Sequence, residues 1–255
     1  MRLGGRPARA ARLLHSCDTM KPNAPSASEA QLDALGAFAL KLVKPGQTIG
    51  LGTGRAASAF IRALGQSRIK VRGVATSEAS AELARSMAIE VVPLDAKTRI
   101  DTDFDGADEV DSRLNLVKGF GGALVRERIV AASARKVVIL VGAEKRVARL
   151  GARGRIPVEV VPFAIPLALR RIRALGMRPA IRLNPDGSEF RSDNGNAILD
   201  CGVRRIAGAA RLERDLRAIP GLVGTGLFLG IASLVLVANP DGSIVTMAPA
   251  RRSAA

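Results

Sequence analysis

The chain has 255 residues, 47% hydrophobic and 3% aromatic, and a formal net charge of +16. This length allows one large domain or two modest ones, and without Trp or Tyr the core must be mainly Ala, Val, Leu and Ile. No uninterrupted apolar run approaches the roughly 18 residues of a membrane span, so no membrane partner is expected.

The rare residue types narrow the chemistry. Cys17 and Cys201 are too few for a disulfide framework and favour a reducing compartment, so we expect a cytoplasmic protein. The only histidine, His15, lies near the N-terminus. Acid–base chemistry in the folded body must therefore use carboxylates or lysines.

The positive charge is spread along the chain. Arginines run from Arg55 to Arg252 with almost no aromatic residues between them on which bases could stack. We therefore expect no nucleic-acid partner. A general attraction for small anionic substrates accounts for the charge equally well.

Residues 1–27 form a basic head. Met1–Thr19 contains four arginines and one acid, with no sustained apolar pattern and no apolar region of a secretory signal. We predict a disordered extension, or a translation start assigned upstream of Met20. A transit-like or nucleic-acid-binding arm is the alternative.

From residue 28 the chain alternates between helical and strand patterns. Helices are predicted over 28–43, 55–64, 78–87 and 123–134, and strands over 47–51, 69–75, 89–93 and 136–142. The last strand is a continuous apolar run, which indicates a central position in a sheet. Repeated strand–loop–helix units predict a parallel, doubly wound, Rossmann-like α/β sheet, with ligands at the carboxyl ends of its strands.

The pattern changes at about residue 151. Strands are predicted over 156–161, 180–183 and 197–201, and helices over 166–175 and 212–218, with 225–228 continuing the pattern. Strands over 234–238 and 243–247 return to the first sheet. We therefore expect a Rossmann-like domain, 28–150 plus 231–250, with a smaller α+β domain, 151–230, inserted into it.

A glycine loop, Gly52-Thr53-Gly54, connects the first predicted strand to a helix. This arrangement directs backbone N–H groups and the helix dipole towards a phosphate, although a tight turn without a ligand has the same pattern. Ala57 stands where the G-x-G-x-x-G motif has its third glycine. A dinucleotide is therefore not expected.

Six of the 23 carboxylates crowd into Asp101–Asp111. Crowded like charges raise pKa values, and proteins accept that cost mainly where a metal, a cation or proton chemistry uses it. One interpretation is a solvated acidic loop or helix cap. A second is a calcium-binding EF-hand, but Ser112 stands where that loop needs Glu at its twelfth position.

The third interpretation is an active site. Asp105 and Asp108 are spaced to point into one cleft, where Lys118 neutralises them or binds an oxyanion. Glu127, at the start of a helix, is a candidate base. The glycines that let backbone approach a ligand are Gly119, Gly121 and Gly122. Beside an anion-binding loop, this set suits enolisation of a small phosphorylated sugar.

Six motifs occur in order over most of the chain. They are Gly50–Gly54, Asp105–Glu109, Lys118–Arg128, Pro157–Val160, Asp193–Asn196 and Ile219–Val223. Together they resemble the type A ribose-5-phosphate isomerase family. The resemblance implies interconversion of ribose 5-phosphate and ribulose 5-phosphate through an enediol, without metal or organic cofactor, in a homodimer.

The resemblance also implies roles for individual residues. Glu127 would move the proton between C1 and C2, while Asp105, Asp108 and Lys118 would line the reacting end. The expected substrate-binding residues are Thr53, Gly54, Arg55, Ala56, Ser77, Gly106, Ala107, Gly119, Phe120, Gly121 and Lys145.

The sequence departs from the family pattern near the expected phosphate. The usual T-G-S-T loop reads Thr53-Gly-Arg-Ala56, which removes two hydroxyl donors. Arg55 either replaces them with a charge-assisted contact or points outward. Gly142 stands where an Asp is usual, and Phe120 interrupts the usual glycine run.

Two other functions fit this class of fold. A non-catalytic sugar-phosphate sensor would usually carry a DNA-binding helix-turn-helix, for which residues 1–27 are too short. An acyl-CoA transferase would use a glutamate nucleophile and form a covalent adduct, which we do not expect.

Overall fold

The computed structural model describes residues 26–204 and 206–249. Almost all of the basic head lies outside these ranges, so its predicted disorder stays a prediction. The helices of the described part are α1 (Glu29–Ala39), α2 (Arg55–Ser67), α3 (Glu78–Ser86), α4 (Leu124–Ser133), α5 (Ile165–Ala174) and α6 (Ala209–Arg217). No helix of the described part is long and apolar enough to cross a membrane.

The strands alternate with these helices in the first half of the chain and cluster in the second. They are β1 (Thr48–Leu51), β2 (Arg72–Ala75), β3 (Glu90–Val91), β4 (Thr102–Gly106), β5 (Glu109–Val110), β6 (Leu116–Val117), β7 (Val137–Gly142), β8 (Arg155–Val160), β9 (Arg178–Ile181), β10 (Ala197–Gly202), β11 (Leu222–Thr225), β12 (Leu227–Phe228), β13 (Leu234–Ala238) and β14 (Ile244–Met247).

Two predicted helix starts are explained by their caps. Ser28 caps α1 in a capping box: its Oγ accepts from the N–H of Gln31, and the Gln31 side chain accepts from the N–H of Ser28. Ser77 caps α3 by accepting from the N–H of Ser80 at 3.1 Å.

The main sheet has the order β14-β13-β7-β4-β1-β2-β3. All neighbours are parallel except the β13–β14 pair, which is antiparallel. Apolar residues of α1, α2 and α3 pack on one face, and those of α4 pack on the other. The Rossmann-like, doubly wound sheet predicted from the sequence is therefore confirmed.

The core of the main sheet is aliphatic, as the composition requires, with one aromatic pair. Phe60 of α2 stacks on Phe104 of β4 with ring centroids 4.3 Å apart, and both side chains are fully buried. This contact fixes the start of α2 over the strand that carries Asp103 and Asp105.

A second, antiparallel sheet has the order β11-β8-β10-β9. Helices α5 and α6 contribute Ile172 and Leu216 to its apolar cluster, which also contains Ile156 and Val158. This separate cluster supports the predicted inserted α+β domain, whose boundaries stay a prediction.

The middle of the acidic stretch is a strand and not a solvated loop. Residues 102–106 are the strand β4, so Asp103 and Asp105 are buried within a parallel sheet and do not lie in a solvated loop. The EF-hand interpretation is also wrong, because its first ligands would have to come from a loop between two helices. Beyond β4, the chain forms a small sheet of order β12-β6-β5, which the sequence patterns did not predict.

Candidate active site

A cavity of about 250 Å³ opens where the order of the main sheet reverses. From β1 the chain runs outward through β2 and β3, then returns to the other side of β1 with β4 and β7. The carboxyl ends of β1 and β4 face this switch point, which is where doubly wound sheets bind ligands. The cavity is lined by Ser26, Leu32, Thr53, Gly54, Arg55, Ala56, Gly106, Ala107, Asp108, Lys118, Gly119, Gly121, Glu127, Leu140, Val141, Gly142, Glu144 and Lys145.

Asp105 joins the ends of β1 and β4. Its Oδ1 accepts from the backbone N–H groups of Thr53, at 3.0 Å, and Gly106, at 2.7 Å. A Cβ on Gly52 would overlap the Asp105 carboxylate, so only glycine lets the two strand ends approach this closely. Asp105 is thus held by the backbone, with Oδ2 turned towards Lys118.

Lys118 is the centre of the buried charges. Its Nζ lies 2.9 Å from Asp105 Oδ2 and 3.1 Å from Glu127 Oε1, and it donates to the carbonyl of Gly106. Burial alone would lower the pKa of Lys118, but the two carboxylates raise it above its usual value. A permanent cation therefore faces two carboxyl groups and one backbone carbonyl.

Glu127 combines a paired oxygen with an unpaired one. Residue 127 lies in the first turn of α4 and is only 4% exposed, and its Oε1 faces Lys118. Within the described part of the chain, Oε2 has no hydrogen-bond partner. Burial raises the pKa of Glu127 to about 8, against the lowering effect of Lys118. Such a group can take up and release a proton near neutral pH.

Asp108 lies at the mouth of the same cluster. Its Oδ2 accepts from the backbone N–H of Phe120 at 2.9 Å. Burial raises the pKa of Asp108, opposed by that hydrogen bond and by Lys118. The carboxyl is partly open to the cavity, so it can exchange hydrogen bonds with a ligand.

Asp103 lies deeper, on the same face of β4 as Asp105. It is fully buried beside Gly50 and Val130, and neither oxygen has a hydrogen-bond partner in the described structure. Burial, and then the charge of Asp105, raise the pKa of Asp103 well above its usual range. Burial therefore favours the neutral form of this carboxyl.

The three remaining acids of the crowded stretch bind backbone N–H groups. Asp101 accepts from Thr48 at 3.0 Å, and Glu109 accepts from Gly151 at 2.6 Å. Asp111 accepts from Asn115 at 2.9 Å. These three carboxylates hold loops in place. The crowding of acids in this stretch therefore combines structural hydrogen bonds to the backbone with the separate cluster around Lys118.

The glycine loop leads into α2 as the sequence predicts. Gly54 has φ of 104°, which favours glycine, and it precedes the first turn of the helix. The Arg55 side chain points away from the loop: its Nε and Nη2 lie 3.0 and 2.6 Å from Glu29 Oε1. Of the two alternatives for Arg55, the outward orientation is therefore the one observed.

Ser77 and Phe120, two predicted substrate-binding residues, are not among the residues that line the cavity. Ser77 accepts a hydrogen bond from Thr53 Oγ1 at 2.8 Å and so supports the glycine loop from behind. The ring of Phe120 lies 4.2 Å from the guanidinium of Arg155, while its N–H binds Asp108. The other predicted residues line the cavity, except Gly122, which lies against Phe190, and Asp105, which contacts the cavity through Lys118.

Lys145 and Glu144 border the cavity at the end of β7, in the 3-10 turn Ala143–Lys145. Burial lowers the pKa of Lys145, and nearby Arg153 adds to this effect. Glu144, Ser26 and Leu32 were not singled out in the sequence. Nothing in their local patterns marks them, because they enter the cavity only through the packing of α1 against β7.

We find no group of three or more His, Cys, Asp or Glu side chains placed to hold a metal ion among the described residues. The carboxylates of the site instead face one another across Lys118. The arrangement suits proton transfer on a small anionic ligand.

Fold and site together define an α/β protein with a buried lysine–carboxylate cluster at the switch point of a parallel sheet. Residues 72–242 match the family model described as ribose 5-phosphate isomerase A (phosphoriboisomerase A). The chain belongs to this family.

Similar proteins cover nearly the whole described body. A ribose-5-phosphate isomerase A of Roseiflexus sp. is 48% identical over 219 residues, which are 84% of this chain and 94% of the relative. The solved ribose 5-phosphate isomerase A of Methanocaldococcus jannaschii is 38% identical, with a TM-score of 0.81 over 87% of this chain and all of that one. A D-ribose-5-phosphate isomerase in complex with phospho-erythronic acid is 33% identical, with a TM-score of 0.83 over 87% of this chain and 99% of that one.

Proposed function

We propose that this protein interconverts D-ribose 5-phosphate and D-ribulose 5-phosphate through an enediol, a step of the non-oxidative pentose phosphate pathway. The observation that carries the proposal is the contact of one buried lysine, Lys118, with both Asp105 and Glu127 at the cavity wall. Members of the family to which the chain belongs carry the matching name.

Glu127 is the proposed base. In the open-chain aldose, Oε2 removes the proton from C2 while the aldehyde oxygen gains a proton, which produces the enediol. The same carboxyl then returns its proton to C1 as the C2 hydroxyl loses its own, which produces the ketose. The unpaired Oε2 and the raised pKa of Glu127 both support this role.

Lys118 is proposed to stabilise the negative charge that develops on the substrate oxygens, and Asp105 to hold the ammonium in position. The ammonium is fixed by Asp105 and by the Gly106 carbonyl, so little reorganisation is needed during the reaction. Asp108, which has a raised pKa and faces the cavity, is proposed to exchange the proton between the two oxygens.

The phosphate is proposed to lie at the start of α2. Residues 54–56 border the cavity there, and the helix dipole favours an anion. Lys145 adds the positive charge, since the Arg55 side chain is held by Glu29. The remaining contacts in this proposal are Thr53, Gly106, Ala107, Gly119 and Gly121.

The test is turnover by the purified protein. We expect conversion of ribose 5-phosphate to the ketose in the presence of EDTA, competitive inhibition by phospho-erythronic acid, and loss of turnover in Glu127→Gln. Full activity in Glu127→Gln would disprove the assigned base. Tight binding of ribose 5-phosphate without turnover by the unmodified protein would favour the sensor alternative.

We also propose a homodimer that works in the cytoplasm. Phe163 is 96% exposed, and the exposed Val161 and Val223 lie on the neighbouring strand ends, so the edge of the second sheet presents an apolar surface.

The proposed compartment is supported by a cysteine. Cys201 is a buried free thiol, as a reducing compartment favours. Sedimentation of the protein and of Phe163→Ser tests the dimer, and cell fractionation tests the compartment.

A further inference from the structure

Gly142 and Glu144 meet at the cavity wall. A Cβ on Gly142 would overlap Oε2 of Glu144 and would also lie 2.6 Å from the Cβ of Ala27. The backbone of Gly142 is ordinary extended chain, with φ of −76° and ψ of 159°. Glycine is therefore required here for space and not for conformation, and the Glu144 carboxylate uses that space.

The Glu144 side chain is half-buried and has an open acceptor. Its backbone carbonyl accepts from Arg153 Nη2 at 2.8 Å, which fixes the turn. Across residues 26–204 and 206–249, its carboxylate has no hydrogen-bond partner and no cation within 4.0 Å. A carboxylate placed at a cavity wall without a partner is available to a ligand.

The surroundings of Glu144 indicate what that ligand group is. Lys145 is the adjacent residue, and the charge of Glu144 favours the protonated form of that lysine. The cavity thus offers an anion-binding end and, beside it, an acceptor-only group. A polyhydroxylated phosphate ester matches both, because its phosphate contacts the lysine while a hydroxyl donates to the carboxylate.

We propose that Glu144 is a substrate-binding residue whose carboxylate, held against the Cα of Gly142, accepts a hydrogen bond from a hydroxyl group of the sugar phosphate. This inference rests on the proposed function, since it assigns a contact within the same cavity. It also explains the glycine at position 142 in this chain, which leaves room for an acid supplied by residue 144.

The experiment is a double-mutant cycle on steady-state kinetics with ribose 5-phosphate. Glu144→Ala removes the carboxylate, whereas Gly142→Ala leaves it present but displaces it. The matched control is Glu82→Ala, which removes the same charge from an exposed position of α3 outside the cavity. Thermal unfolding of each variant shows whether it is folded.

We expect Glu144→Ala to raise KM about tenfold with kcat changed less than about threefold, since a hydrogen bond to a charged group is lost in substrate and transition state alike. Gly142→Ala should raise KM by about threefold or more, and the double variant should equal Glu144→Ala within about twofold. Glu82→Ala should match the unmodified protein.

An unchanged or lowered KM in folded Glu144→Ala would overturn the inference, because the carboxylate would then face solvent or repel the phosphate. Additive effects in the double variant would overturn the contact with Gly142. Failure of the unmodified protein to turn over ribose 5-phosphate would instead defeat the proposed function, and that measurement comes first.

Discussion

Lys118 Nζ lies 3.1 Å from Glu127 Oε1, yet the pKa of Glu127 is raised to about 8. The burial of the carboxylate, together with the nearby charge of Asp105, outweighs the attraction of the ammonium. The Glu127 carboxyl can therefore hold a proton at neutral pH although an ammonium group lies beside it.

The pH dependence of turnover follows from this pair. Because Glu127 must be ionised to remove the C2 proton, kcat/KM should rise as pH increases from 6 to about 8 and then level off. The measurement is kcat/KM from pH 5.5 to 9.5 with an assay independent of coupling enzymes. A plateau already reached at pH 6 would contradict the raised pKa.

Lys118→Met should abolish turnover and destabilise the fold. The change leaves Asp105 and Glu127 buried without their cation, and breaking a buried ion pair from one side costs about 3–5 kcal/mol. Urea unfolding at pH 8 measures the loss. The control is Lys41→Met, which removes an exposed lysine from the 3-10 turn Leu40–Leu42 after α1; equal losses in both variants would contradict the prediction.

Asp103→Val should stabilise the protein. The substitution removes a fully buried carboxyl with no partner, whose burial costs roughly 1–3 kcal/mol. Because the pKa of Asp103 is raised in the folded state, the unmodified protein loses stability as pH rises above the unfolded value of 3.8 towards the folded one. The advantage of Asp103→Val should therefore grow with pH.

The free energy of unfolding of both proteins, measured in urea at pH 4 and pH 8, tests this expectation. In the difference between the two free energies of unfolding, the contributions of all titratable groups that the proteins share cancel. If the difference in free energy of unfolding were independent of pH, or if Asp103→Val were less stable than the unmodified protein, the Asp103 carboxyl would have a hydrogen-bond partner in solution.

Lys145→Ala should impair substrate binding more than Arg55→Ala. Both residues border the cavity, but the Arg55 side chain is 55% exposed and pairs with Glu29, itself 62% exposed. Exposed pairs of this kind contribute about 0–1 kcal/mol. We expect KM to rise about tenfold for Lys145→Ala and less than about threefold for Arg55→Ala. A larger rise for Arg55→Ala than for Lys145→Ala would show that the Arg55 side chain contacts the phosphate.

Local patterns were sufficient for the main features of the fold. Apolar spacing locates the helices, and the apolar run that forms β7 marks a central strand, because these signals depend on neighbours in the sequence. The motifs around Asp105, Lys118 and Glu127 also indicated the site, since residue type and order carry the chemistry.

Only the tertiary structure decided which acids of the stretch 101–111 belong to the buried cluster and which bind the backbone elsewhere. Asp103 and Asp105 alternate with apolar residues in a five-residue stretch that resembles a polar loop, and their burial depends on β1 and β7 pairing on either side. Asp101 and Asp111 bind backbone N–H groups outside the cluster. Charge crowding alone cannot separate these cases, because desolvation depends on packing.

The same distinction holds at the cavity wall. The sequence determined that this is a Rossmann-like protein with a lysine–carboxylate centre, because apolar periodicity indicates the fold and the residue types indicate the centre. The outward orientation of Arg55, which pairs with Glu29, and the position of Gly142 beside Ala27 were decided by the packing of α1 and the residues before it, which brings together residues distant in the sequence. Such contacts leave no local pattern, so only the folded chain shows them.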